Sequence, residues 1–199
     1  MAVGIPTDRE LWQRAQRGEP EAFGRLFDRH ARAVYNHAFR RIGSWDDAED
    51  LTSAVFLEAW RRRREVVLDR DSALPWLLGV TTYLTLNRQR AVRRYRALAG
   101  RLPRPRPADD HADDVAARID DERQMARLRA EVDRLPRPER EVIELCGWAG
   151  LDQQAAAVAL GVAVGTIRSR LFRARQRLAG RIGASSPNAG AARSTVESP

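Results

Sequence analysis

The sequence predicts an all-α protein: two small helical domains joined by a flexible Pro/Asp-rich linker, the C-terminal domain a helix-turn-helix. Three observations carry this. Apolar residues in both halves recur at three- and four-residue spacing, and no stretch shows sustained two-residue alternation rich in β-branched residues. Between the halves, Gly100, Pro103, Pro105 and Pro107 precede Asp109, Asp110, Asp113 and Asp114. Prolines this close together block helix, so residues 99–115 read as a semi-extended linker. Near the end, Gly161 separates two short helical patterns, the second crowded with arginine. The boundaries that follow are 1–98, 99–115, 116–183 and a tail, 184–199, that lacks periodicity and is expected to be disordered.

The elements follow in order. Thr7 and Asp8 cap a short helix ending near Gly18. Pro20 suits the first turn of the next helix, where Phe23, Leu26, Phe27, His30, Val34, Ala38 and Ile42 keep helical spacing. Ser44 to Asp47 is an acidic, cap-rich start for a third helix through Val55, Leu57 and Trp60 to about Arg63. Ser72 and Pro75 open a fourth, to about Leu98, in which Trp76 and Leu77 are expected in the core. Beyond the linker, helices are expected near 115–134, 138–149, 152–160 and 164–181. Breaks fall at Leu135-Pro136-Arg137-Pro138 and at glycines 147, 150 and 161.

The last two helices are the most informative. Asp152 caps the first, Ala156, Ala157 and Leu160 face inward, and Gly161 fits the left-handed position that turns the chain. That is the sequence form of a helix-turn-helix. In the second, Val164, Ile167, Leu171, Ala174 and Leu178 form an apolar stripe. Arg168, Arg170, Arg173, Arg175, Arg177 and Arg181 occupy much of the rest, with no acid from Val164 to Arg181. Six like charges on one helix call for a counter-charge, which nucleic-acid phosphates supply. The small residues Gly165, Thr166 and Ser169 let the helix N-terminus approach a phosphate. A solvated basic face would explain the charge, but not the agreement of turn, stripe and charge.

Composition agrees. The 199 residues carry a net charge of +8, and all 35 basic side chains are arginine. Guanidinium groups favour bidentate contacts to phosphates and guanine edges. With 43% hydrophobic and 31% charged residues, the chain can bury real cores. The lone Cys146 excludes a disulfide framework or a Cys-rich zinc site and is expected as a buried thiol. Residues 1–9 lack a secretory signal, and the longest apolar stretch, Ala155 to Gly165, is too short to span a bilayer. A soluble protein of a reducing compartment is expected. His30 and His37 lack a third ligand and read as core-edge or surface residues. The acids around His111 read as solvated or as caps of the next helix. No metal and no cofactor is expected, and no nucleotide-binding or nucleophile-elbow motif occurs.

The run LDQQAAAVALGVAVGTIRSRLFRARQRL (151–178) resembles the DNA-binding domain that ends bacterial RNA polymerase sigma factors of the sigma-70 family, in particular the extracytoplasmic-function (ECF) type. LPRPEREVIEL (135–145) resembles the start of that domain. The resemblance implies that the last helix reads the upstream (−35) promoter element in the major groove. Thr166, Arg168, Ser169, Arg170, Arg173 and Arg175 would face the DNA. The sequence departs from the family at Ala155, Ala156 and Val158, which replace two acids and a bulky aliphatic, and at Ala163, where Pro is common. A lightly packed first helix is the expected consequence.

The N-terminal half carries the same resemblance. Residues 22–63 are similar to the family's opening helices, most specifically at DDAEDLTSAVFLEAW (46–60). The resemblance implies docking on a coiled coil of the polymerase's largest subunit. Asp47, Glu49, Asp50 and Glu58 would supply charge; Leu51 and Val55, with Trp60, would supply partner contact or core packing. The acids also suit the positive end of a helix dipole.

SALPWLLGVTTYLTLNRQRAVRR (72–94) resembles the helix that meets the downstream (−10) element and holds the opened strand. Arg70, Asp71, Ser72, Tyr83, Asn87, Arg88 and Arg90 are the candidates there, and the loop from Glu65 to Asp71 sits where the family captures a flipped base. Aromatics stack on unpaired bases while Arg tracks the backbone, and eight Arg with no acid lie between Arg88 and Arg106. Tyr83 stands where Asn is usual; stacking and packing are both open for it.

The function implied is that of a sigma factor, not an enzyme. It binds core RNA polymerase and promoter DNA, duplex and single-stranded, in the cytoplasm, and an anti-sigma factor commonly restrains such proteins. The alternative is a stand-alone helix-turn-helix regulator, which would need neither the 46–60 nor the 72–94 block.

Overall fold

A computed structural model describes residues 5–98 and 112–184. The described residues form helices α1 (Asp8–Gln16), α2 (Pro20–Ile42), α3 (Trp45–Arg62), α4 (Leu74–Leu98), α5 (Ala112–Asp133), α6 (Arg137–Ile143), α7 (Gln153–Leu160) and α8 (Val164–Ala184). A π-helical turn, Glu144–Trp148, follows α6, and no strand occurs among the described residues.

Local chemistry sets the helix ends. Thr7 accepts from the Glu10 amide while the Glu10 carboxylate accepts from the Thr7 amide at 2.8 Å, a reciprocal capping box. Pro20 sits in the first turn of α2, and Gly43 closes that helix at φ 74°, a left-handed conformation that costs glycine little. Ser44 caps α3 by accepting from the Asp47 amide.

The apolar faces of the first four helices meet in one core. Leu26, Val34 and Ala38 of α2 lie among Leu11 and Trp12 of α1, Leu51, Val55 and Phe56 of α3, and Leu77 and Leu78 of α4, all buried. Each such Leu or Val side chain contributes about 1.5–3 kcal/mol of burial. The indole of Trp12 donates to the Val66 carbonyl at 2.9 Å, which pins the 63–73 loop to α1.

A buried carboxylate joins three elements. Asp8 accepts from the Ala73 amide at 2.8 Å, pairs with His30 Nε2 at 2.5 Å and is bonded by Arg29. Burial alone would raise its pKa. The Ala73 hydrogen bond and the His30 and Arg29 contacts outweigh that and hold it below the usual carboxylate value of 3.8.

Several sequence expectations are corrected. The helix expected over 138–149 ends at Ile143 and widens into the π turn, whose Ala149 amide reaches the Glu144 carbonyl at 3.0 Å. Residues 112–115, expected in the linker, begin α5; the remaining linker residues, 99–111, and the tail from 185 lie outside the described residues. His30 and His37 are buried, not at an edge: Asp8 claims His30, and His37 lies on the inward face of α2. Cys146 is only half-buried. The first helix of the helix-turn-helix is closely, not lightly, packed: Ala155, Ala156 and Ala157 are buried, and α7 packs directly on α4.

Candidate nucleic-acid interface

Helix α8 is fixed from below. Ile167, Leu171 and Ala174 are buried against α6 and α7, so the other faces of the helix look outward. Asp152 caps α7 by accepting from the Ala155 amide at 2.6 Å, and Gly161 at φ 62° turns the chain into α8 as expected.

Of the expected −35 residues, Arg168, Ser169, Arg173 and Arg175 are exposed, while Thr166 and Arg170 are half-buried. The Ser169 hydroxyl donates to the Thr166 carbonyl at 3.0 Å. Arg168, Arg170 and Arg175 have no ion-pair partner among the described residues. Arg173 and Arg177 do: their Nε atoms lie 3.5 and 3.0 Å from the two carboxylate oxygens of Glu139 on α6. The protein thus supplies a counter-charge for two arginines of this helix, against the expectation that none of the six would have one. Glu139 itself is buried. Arg168 and Arg175 flank an open groove with Asp152, Gln153 and Gln154 at the start of α7.

The second arginine surface lies on α4. Thr81, Thr82 and Thr85 are buried, their hydroxyls donating to the carbonyls of Leu77, Leu78 and Thr81 at 2.7–2.9 Å, so this polar face is satisfied inside the fold. The outer face carries Tyr83, 62% exposed, together with exposed Arg88 and Arg90 and half-buried Asn87. Tyr83 lines a shallow cavity with Gly79, Val158 and Ala159, so both readings of it stay open. Tyr95, 68% exposed on the same helix, was not singled out by sequence; its place inside the acid-free arginine tract was the available signal. Leu77 is buried and Trp76 partly buried, as expected of core residues.

The loop before α4 is held at several points. Arg9 donates to the Asp69 carbonyl at 2.7 Å and lies 3.5 Å from the Asp71 carboxylate. Ser72 accepts from the Leu74 amide at 3.2 Å. Arg70 reaches across to Asp152 at 3.2 Å.

On α3 the expected polymerase-facing set divides. Glu49 and Asp50 are exposed, and Asp47 and Glu58 are half-buried. Leu51 and Val55 are buried at 4% and 0% exposure; they pack the core, and the expectation of partner contact through them is corrected. Leu57, at 49%, is a large exposed apolar residue of this helix. The alternation of inward and outward positions along α3 carried that signal.

Comparison with known proteins identifies the class. Residues 26–95 match the family model for Sigma-70 region 2, and residues 125–178 match that for Sigma-70 region 4. The chain belongs to the sigma-70 family of RNA polymerase sigma factors, and both regions set aside the stand-alone regulator. It is similar to ECF-type members. CnrH of Cupriavidus metallidurans is 31% identical over 191 residues, 90% of this chain and 96% of that protein. NccH of Alcaligenes xylosoxydans xylosoxydans is 30% identical over 182 residues, 86% of this chain and 92% of that protein. The ECF sigma factor SigE of Mycolicibacterium smegmatis is 34% identical over 155 residues, 77% of this chain but 58% of that protein. Among solved structures, CnrH in complex with the cytosolic domain of CnrY matches with a TM-score of 0.65 and 30% identity, over 90% of this chain and 99% of that one. The sigma factor RpoE in complex with the anti-sigma factor NepR, from Bartonella quintana, shares the fold, with a TM-score of 0.60 at 23% identity over 83% of this chain and 99% of that one. The chain is a sigma factor that directs RNA polymerase to promoters, region 2 binding the core enzyme and region 4 the promoter.

Proposed function

We propose a division of labour among three surfaces. Helix α8 reads the −35 element: Arg168, Arg170 and Arg175 contact bases and phosphates, with Thr166, Ser169 and Arg173 alongside. Helix α4 and the preceding loop hold the −10 element as a single strand, through Tyr83, Asn87, Arg88 and Arg90 with Arg70, Asp71 and Ser72. Asp47, Glu49, Asp50 and Glu58 of α3 meet the largest polymerase subunit. The carrying observation is that the guanidinium groups of Arg168, Arg170 and Arg175, without an ion-pair partner among the described residues, stand on a helix whose opposite stripe is buried in a helix-turn-helix. Arginine pairs bidentately with guanine, and each phosphate it neutralises releases counterions. An exposed Tyr on α4 supports strand holding, since base–aromatic stacking contributes about 1–3 kcal/mol per base.

The chain performs no catalysis of its own; nucleotide chemistry belongs to the polymerase. It acts in the cytoplasm, where polymerase and promoters are. No single helix among the described residues is long and apolar enough to cross a membrane. An anti-sigma partner is proposed for this chain because RpoE is described in complex with the anti-sigma factor NepR.

Run-off transcription with core polymerase tests the reading. Promoter-specific transcripts are expected only when both components are present. Tight operator binding by the chain alone, without polymerase association, would overturn it.

A further inference from the structure

A buried carboxylate lies beneath the outward face of α8. Glu139 stands in the first turn of α6, its amide donating to the Pro136 carbonyl at 2.9 Å, and its side chain reaches α8. Its neighbours in the chain satisfy one another instead. Arg137 donates to Glu141 at 2.7 Å and Arg140 to Asp133 at 2.5 Å. Both cations that meet Glu139 among the described residues therefore come from α8.

Burying a carboxylate is costly unless it is paired, so its place at the α6–α8 contact calls for those cations. Arg173 and Arg177 lie one helical turn apart and present themselves together. Each approaches a different oxygen of the carboxylate, at 3.5 and 3.0 Å. In both the approaching atom is Nε, the inner edge of the guanidinium.

That choice of atom matters for recognition. A guanidinium braced at Nε keeps its two terminal nitrogens, which point away from the brace in a rigid plane. Those are the donors that pair bidentately with guanine O6 and N7. The side chain of Arg173 is exposed, so its terminal nitrogens are open to a ligand. Arg168 and Arg175 have no ion-pair brace among the described residues and must be ordered when DNA binds. Arg173 is ordered beforehand, and ordering in advance reduces what binding costs.

The same carboxylate acts against indiscriminate binding. A negative charge under the DNA-facing helix subtracts from the attraction to phosphates, which carries no sequence information. Aiming one fork while lowering the general attraction raises the ratio of specific to non-specific binding.

We infer that Glu139 is a positioning residue that sets the specificity of −35 reading, acting through Arg173, with Arg177 completing the neutralisation of its charge. The inference rests on the proposed role of α8 and names a residue that touches no DNA itself.

The test uses the full-length chain assembled with core polymerase. The probes are a duplex selected by the parent holoenzyme from a pool randomised over the −35 region, and the same duplex with that region scrambled. Glu139→Gln keeps the shape and removes the charge. It should lower the ratio of the two affinities about tenfold, equivalent to about 1.4 kcal/mol. The loss should fall on the selected duplex, while the scrambled one binds as well as before or better. A merely structural defect would weaken both. In an Arg173→Ala background, Glu139→Gln should change the ratio less than about twofold, because the group it aims is gone. An unchanged ratio in Glu139→Gln, or an equal loss with and without Arg173, overturns the inference and leaves the proposed role of α8 standing. Undiminished discrimination in both Arg168→Ala and Arg173→Ala would overturn that role and the inference with it.

Discussion

Arg88 of α4 donates a hydrogen bond to the carboxylate of Asp47 on α3, so a residue proposed to hold DNA is paired with one proposed to meet the polymerase. The pair is partly exposed, and such pairs contribute about 0–1 kcal/mol. Its interest is therefore functional: a partner that takes Asp47 releases Arg88.

Asp47→Asn should leave the melting temperature nearly unchanged while strengthening binding to a single-stranded −10 oligonucleotide. One more free guanidinium should steepen the salt dependence by about 0.7 in log–log slope. Fluorescence anisotropy at several salt concentrations checks this. An unchanged slope would show that Arg88 does not reach the strand.

Arg168 and Arg177 lie on the same helix and should behave differently. Arg168, free of ion pairs among the described residues, should on substitution by Ala weaken −35 binding by about 1–3 kcal/mol with little loss of stability. Arg177, beside the buried Glu139, should on substitution by Ala lower stability more than DNA affinity, because a buried carboxylate loses one of its two cations. Band-shift titration and thermal melting separate the two effects.

Asp8 should set an acid limit to stability. Its folded pKa lies below 3.8, so its stabilisation is present above that value and is lost as pH falls through the depressed one. Asp8→Ala strands the Ala73 amide and the Arg29 and His30 donors, and should cost about 3 kcal/mol at neutral pH. Urea unfolding at pH 7 and pH 3 measures both effects; the difference between parent and variant should shrink at the lower pH.

His37 should act over a different window. Burial first, then the Arg41 and Arg40 charges, hold its pKa well below 6.5, so it is neutral in the folded chain and takes up a proton on unfolding. Its share of stability is complete above pH 6.5 and declines as pH falls below it, at up to about 1.4 kcal/mol per pH unit. His37→Leu should flatten that slope between pH 7 and pH 5. A slope unchanged by the substitution would assign it to another group.

What the sequence made legible is local. The caps at Thr7, Ser44 and Asp152, the left-handed turn at Gly161 and the stripe of Ile167, Leu171 and Ala174 each depend on neighbours within a few residues. For α3 the same reasoning found the helix but not the roles of Leu51 and Val55. A helical period says that a face is apolar; it does not say whether the same chain or another protein covers it.

By itself, then, the sequence determined the helices, the helix-turn-helix and the two arginine surfaces, because period, capping and charge are short-range properties. The tertiary structure alone decided which arginines remain free and which meet Glu139, where Asp8 is neutralised, and that α7 closes onto α4. Those outcomes depend on groups brought together from far apart in the chain: Asp8 and Ala73, Arg41 and Glu144, Gly79 and Ala159. Charges and small residues carry no mark of their distant partners until packing fixes the distance and removes the water between them.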